Sequence, residues 1–137
     1  MTPRFAVTLA AALAFVACSR EGPEVSPGTD FRKVALEFAQ SLAARDYGKA
    51  HAMMCDARRK RVTVDQLRAA FEAIVPADPV GPVAIGETMT AWPDKQPGDL
   101  GWAYVSIGGD VYSEAIVVVV TSENGAARIR EVEFGRP

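Results

Sequence analysis

Ile116-Val117-Val118-Val119-Val120 places five β-branched residues in a row, and no other stretch constrains the fold as strongly. In a helix each would lose side-chain freedom against the preceding turn, whereas a pleated strand accommodates all of them. The run does not alternate with polar residues, so both of its faces must be covered. It is therefore expected to be a central strand, spanning Val111 to Thr121.

Its neighbours follow from the turn residues around it. Asn124-Gly125 is a strong hairpin signal, because both residues accept positive φ, and Ala126 to Phe134 is the returning strand. Ile129 falls out of phase with Val132 and Phe134, which predicts a bulge or twist at that point. Upstream, Val83 to Trp92 and Leu100 to Ile107 are separated by the turn-rich Pro93-Asp94-Lys95-Gln96-Pro97-Gly98-Asp99. Short connections make all four strands antiparallel neighbours.

Before the strands the apolar period is helical. Asp30 is placed to cap a helix carrying Phe31, Ala35, Phe38 and Leu42 on one face. Asp46-Tyr47-Gly48 interrupts that pattern and starts a second helix, with Tyr47, Ala50, Met54 and Cys55 on its apolar side. Thr63-Val64-Asp65-Gln66 matches a capping box, with Val62 and Leu67 placed as its hydrophobic staple. Leu67, Ala70, Phe71 and Ile74 form the stripe of this third helix, which Pro76 stops. The expected class is α+β: three N-terminal helices packed on a four-stranded antiparallel sheet.

That order resembles the nuclear transport factor 2-like superfamily, in which helices pack in a curved antiparallel sheet, a cystatin-like cone. Phe38-Ala39-Gln40-Ser41-Leu42-Ala43-Ala44-Arg45-Asp46-Tyr47-Gly48-Lys49-Ala50 is similar to the first two helices of such domains. The resemblance covers about residues 30–134. It implies a cavity between helices and sheet, in which some members isomerise or dehydrate small molecules with an Asp or His.

The N-terminus reads differently. Arg4 precedes an uncharged apolar stretch from Phe5 to Ala17. As a helix that stretch rises only about 20 Å, short of a hydrocarbon core of about 30 Å, so it has the size of a signal peptide rather than a span. Leu13-Ala14-Phe15-Val16-Ala17-Cys18-Ser19 resembles a bacterial lipobox, in which the peptide is cut before the cysteine and the cysteine is acylated. The resemblance implies a signal peptide at 1–17 and Cys18 as the lipid attachment site. Ser19 resembles the pattern sorted to the outer membrane, facing the periplasm where the cell has two membranes. Residues 18–29 are rich in Pro, Gly and charge, a composition that predicts a flexible tether ahead of a single domain at 30–137. Several acyl chains on one cysteine would meet the need for more than one for stable anchoring.

Charge narrows the partners. Without residues 1–17 the chain carries fourteen Lys and Arg against seventeen Asp and Glu, a net of -3 that offers nothing to nucleic acid. Residues 31–75 are net +4 and 76–127 net -6. Arg58-Arg59-Lys60-Arg61 is the single charge run, read as a solvated helix end or as a contact with an anionic surface. With Cys18 acylated, Cys55 has no partner for a disulfide and is expected to be a small buried hydrophobe.

Chemistry is sparse. His51 is the one histidine, with Tyr47 and Cys55 at four-residue offsets. One His and one unlipidated Cys do not make a metal site, and no nucleophile-elbow or phosphate-loop pattern is present. No cofactor is expected. Trp92, Trp102, Tyr104 and Tyr112 lie on or beside strands, where they are expected to fill the core and secondarily to line a pocket. The favoured reading is a non-catalytic envelope lipoprotein that binds a small apolar ligand or a protein partner. Tyr47, His51, Met54, Trp102 and Tyr104 are its candidate pocket residues, and the sheet face is a candidate homodimer surface. The alternative is a small cavity enzyme with His51 or a buried Asp as base.

Overall fold

A computed structural model describes residues 30–75, 80–108 and 113–135. The expected signal peptide, lipobox with Cys18 and tether, together with Pro76 and Tyr112, lie outside the described residues. Four helical segments precede four strands: α1 (Phe31–Ala43), α2 (Tyr47–Ala52), α3 (Asp56–Arg61), α4 (Val64–Ile74), β1 (Val83–Met89), β2 (Asp99–Gly108), β3 (Ser113–Glu123) and β4 (Ala126–Phe134). The strands form one antiparallel sheet in the order β1-β2-β3-β4. The chain is α+β, as the sequence predicts.

Local chemistry fixes the helix starts. The Asp30 carboxylate accepts the Arg32 amide at 3.0 Å, and α1 then buries Phe31, Ala35, Phe38, Ala39 and Leu42. Asp46 caps α2 by accepting the Lys49 amide at 3.1 Å. At α4 the capping box closes in both directions: Gln66 N donates to Thr63 Oγ1 at 3.1 Å, and Thr63 N donates to Gln66 Oε1 at 2.9 Å. Each bond satisfies an amide that the first turn leaves without a helical partner.

Where the sequence predicts one helix through Cys55, the structure has two short ones. Met53 to Cys55 leaves the helix and pairs with the outer edge of β4: Cys55 N donates to Ile129 O at 2.8 Å and Ile129 N to Met53 O at 2.9 Å. A strand edge carries backbone groups that need partners, and this bridge supplies two of them to β4. The backbone demand of the sheet thus overrides the helical period.

β3 is buried on both faces. Ile116, Val118 and Val120 point to the helices, packed with Phe38, Leu42, Leu67 and Phe71. Val117 and Val119, on the opposite face, are each only 5% exposed. Asn124 and Gly125 adopt φ of 50° and 77°, the hairpin geometry expected of them. The register between β3 and β4 shifts as Val119↔Glu131 gives way to Val120↔Ile129, so the expected bulge exists and its extra residue is Arg130.

The aromatic assignment needs correcting. Trp92, Trp102 and Tyr104 are half-buried and none is in the core cluster; Trp102 and Tyr104 stand on the sheet face away from the helices. The helices already supply Phe31, Phe38, Tyr47 and Phe71 to the interior, and β2 meets them with Gly101, Ala103, Val105 and Ile107. Gly101 is essential to that fit, because a Cβ there would overlap the Phe31 ring.

Candidate functional site

Two hollows flank β4, one on each face of the sheet. The first lies between the helices and the end of β4. Val62, Leu67 and Ala70 wall it on one side and Val132 and Phe134 on the other, with Arg58, Arg61 and Gln66 completing the lining of a space of about 320 Å³. Gln66 is held by the capping box, and Arg58 and Arg61 are the cations of the lining.

The basic run is divided rather than displayed as one surface. Arg58 turns to the sheet and places Nη1 2.9 Å from Glu131 Oε1, while its Nε is buried with no hydrogen-bond partner among the described residues. Arg59 and Lys60 turn to Asp56, at 3.6 and 2.7 Å, within their own helix. The hydrogen bond and charge of Lys60 hold the Asp56 carboxyl below its usual range. Arg61 is exposed at the rim of the hollow. Of the four cations, read as a solvated helix end or as an anionic-surface contact, Arg58 and Arg61 line the hollow while Arg59 and Lys60 are engaged by Asp56.

The second hollow is on the sheet face away from the helices. Val117 and Val119 form its floor; Trp92 and Trp102 line it with Asp94, Gln96, Arg130, Glu131 and Glu133, around about 260 Å³. The β1–β2 connection carries Trp92 and is closed by two short turns, Lys95 N to Trp92 O at 3.2 Å and Asp99 N to Gln96 O at 3.1 Å. Gly98 adopts a φ of 90°, and its carbonyl accepts the Ser122 amide of β3 at 2.9 Å. Pro93, Asp94 and Gly98 are the residue types such turns require, and they fix Trp92 beside β2.

Behind this groove Arg130 grips Asp99 with two parallel bonds, Nε to Oδ1 at 2.7 Å and Nη2 to Oδ2 at 2.8 Å. The Asp99 side chain is fully buried. Burial alone would raise its pKa, but the Arg130 hydrogen bonds, the Gln96 amide, the Arg130 charge and the Thr121 hydroxyl together hold it below the usual carboxylate range. Arg130 is correspondingly more firmly protonated, mainly through its bonds to Asp99.

The other expected pocket residues serve the framework. Tyr47 is buried, with its hydroxyl donating to Glu72 Oε1 at 2.9 Å and accepting from Arg45 Nη1 at 3.1 Å. Met54 is fully buried in the core. His51 Nε2 lies 2.6 Å from the Val62 carbonyl, so that nitrogen carries the proton and donates, tying α2 to the end of α3. Tyr104 packs over Gly86 of β1. Of the five, Trp102 lines a described hollow.

Sequence reasoning missed Arg130, Asp99, Val132 and Phe134 as site residues. The phase break at Ile129 was the available signal for Arg130, because a bulge redirects a side chain to the other face. Nothing in the turn-rich connection distinguishes Asp99 from Asp94. Among the described residues no group of three His, Cys, Asp or Glu could hold a metal, and no helix is long and apolar enough to cross a membrane. Comparison with protein-family models, curated proteins and solved structures found no match.

Proposed function

We propose that the chain is a lipid-anchored envelope protein, acylated at Cys18, whose domain binds an amphiphilic anion without catalysis. The apolar segment from Phe5 to Ala17 and the lipobox-like Leu13 to Cys18 support the anchor. In a cell with two membranes the anchor would sit in the outer one, with the domain in the periplasm. Helices followed by a four-stranded antiparallel sheet, with a β-bulge at Arg130, support a curved cystatin-like cone of the nuclear transport factor 2-like kind.

The observation that carries the ligand assignment is Arg58. Its side chain lines an apolar hollow that Arg61 also borders, and its Nε has no hydrogen-bond partner among the described residues. A carboxylate or phosphate entering the hollow would meet two guanidinium groups with charge-assisted hydrogen bonds, each worth about 1.5–3 kcal/mol. The apolar part of such a ligand would lie against Val62, Leu67, Ala70 and Phe134. Nothing comparable favours an enzyme, since His51 Nε2 is committed to Val62 and Asp99 to Arg130.

Two measurements test the reading. Intact mass of the membrane-extracted protein should equal residues 18–137 plus acyl groups, and the acylation should vanish in Cys18→Ser; an unmodified soluble protein would sink the anchor. For the ligand, isothermal titration of the detergent-solubilised full chain with decanoate and with decanol separates charge from apolar contact. Decanoate should bind about tenfold tighter than decanol and lose that margin in Arg58→Gln. Equal binding of the two compounds would refute the anion site.

A further inference from the structure

The groove on the opposite face carries chemistry of the other sign. Its lining combines two indole rings, Trp92 and Trp102, an aliphatic floor of Val117 and Val119, and the carboxylates Asp94, Glu131 and Glu133. Arg130 is the one cation in that lining, and its charge is balanced by Asp99 through the bidentate pair. Glu131 is shared with Arg58. Asp94 and Glu133 are exposed and enter no ion pair among the described residues. The groove is therefore net negative, and two aromatic side chains line it.

Trp92 already attracts an ammonium group. Lys95 Nζ lies 5.6 Å from its ring centroid while donating to the Thr90 carbonyl at 2.6 Å. Indole faces attract cations through their quadrupole, and the attraction grows where water is excluded. Carboxylates at the rim add attraction, and an aliphatic floor suits methyl or methylene groups on the cation. A net-negative groove disfavours anions, while two indoles and two valines give a strongly hydrated metal ion little to bind.

We propose that this groove is a binding site for a small organic ammonium ion, distinct from the anion hollow and reached from the other face of the sheet. The ammonium sits between the indoles and the carboxylates of Asp94 and Glu133, with its carbon substituents on Val117 and Val119. Arg130 contributes position rather than charge: locked to Asp99, it braces the β4 side of the groove.

Trp92 and Trp102 are the only two tryptophans of the chain, so its tryptophan emission reports on this groove directly. The full chain, in a non-ionic detergent free of amines, is titrated with choline and with the uncharged alcohol in which carbon replaces the choline nitrogen. Choline should give a saturable change in emission and bind about fivefold or more tighter than the alcohol. Trp102→Leu should abolish the response while Trp92 remains to report it. Glu133→Gln, at an exposed position, should weaken choline about threefold with an unchanged melting temperature. Equal affinity for the two compounds overturns the proposal, because apolar contact alone would then account for binding. So does the absence of a saturable choline response, or wild-type affinity in the doubly neutralised Asp94→Asn, Glu133→Gln variant.

Discussion

Arg130, the bulged residue of β4, closes a bidentate pair at 2.7 and 2.8 Å on Asp99, the first residue of β2. β3 lies between those two strands, so the pair spans the central strand and pins the β1–β2 connection over it. The bulge and the ion pair are one feature.

Breaking that pair from one side should be expensive. Asp99→Asn leaves the Arg130 guanidinium, 20% exposed, without its counter-charge. The expected loss is about 3 kcal/mol, read from urea midpoints. Asp99→Leu combined with Arg130→Met should recover a large part of it, because an apolar pair carries no desolvation cost. The pH dependence has a fixed sign. A carboxyl whose pKa is depressed in the folded state contributes stability above its unfolded pKa of about 4, and that contribution disappears as pH falls through the folded value. Acid should therefore destabilise the wild type more steeply than Asp99→Asn.

Gly101→Ala tests the contact between α1 and β2. A Cβ at that position overlaps the Phe31 ring, so either the helix shifts or the ring leaves its place. Overpacking of this kind should cost about 1–3 kcal/mol. Phe31→Leu, which shortens the side chain, should cost less in the Gly101→Ala background than in the wild type. A thermal melt of the four proteins checks this, and additive losses would mean that the two positions do not touch.

The cap of α4 should behave as a local element. Thr63→Ala removes the acceptor for the Gln66 amide and should lower stability by about 1 kcal/mol. Gln66→Ala removes the reciprocal bond to the exposed Thr63 amide and should cost less. The double variant should fall short of the sum, since the two bonds orient the same turn.

How far the sequence reached depends on whether a feature is local. The capping box at Thr63, the hairpin at Asn124-Gly125 and the strand at Ile116–Val120 are each written within a few adjacent residues, and each stands where it was expected. The break after Ala52 was not legible, because its cause is the unpaired edge of β4, about 75 residues downstream at Ile129. The positions of Trp102 and Tyr104 depend on which face the helices cover. Their shared parity was visible, but the choice of side rested on the volumes of Phe31, Phe38 and Phe71 across the core. The candidate sites were least legible for the same reason. Arg58 and Glu131, or Asp99 and Arg130, meet only once the sheet is assembled.

Tyr47 offers a test of the framework at the other end of the pH scale. Burial is the main reason that its pKa lies above the ordinary tyrosine value; the Arg45 hydrogen bond opposes the rise, and the hydrogen bond to Glu72 adds to it. A group with a raised folded pKa favours its protonated form in the native state. Its contribution is complete below the unfolded pKa of about 10 and is lost as pH rises through the folded value. A tyrosinate absorbance titration should contain a component from Tyr47 displaced to high pH. Tyr47→Phe should remove that component and flatten the alkaline loss of stability. At neutral pH it should cost only about 1 kcal/mol, because Arg45 and Glu72 are 3.9 Å apart and still able to pair without the hydroxyl. If the late component survives in Tyr47→Phe, the hydroxyl is not where the Arg45–Glu72 pair requires it, and the packing of Tyr47 against Phe71 would have to be redrawn.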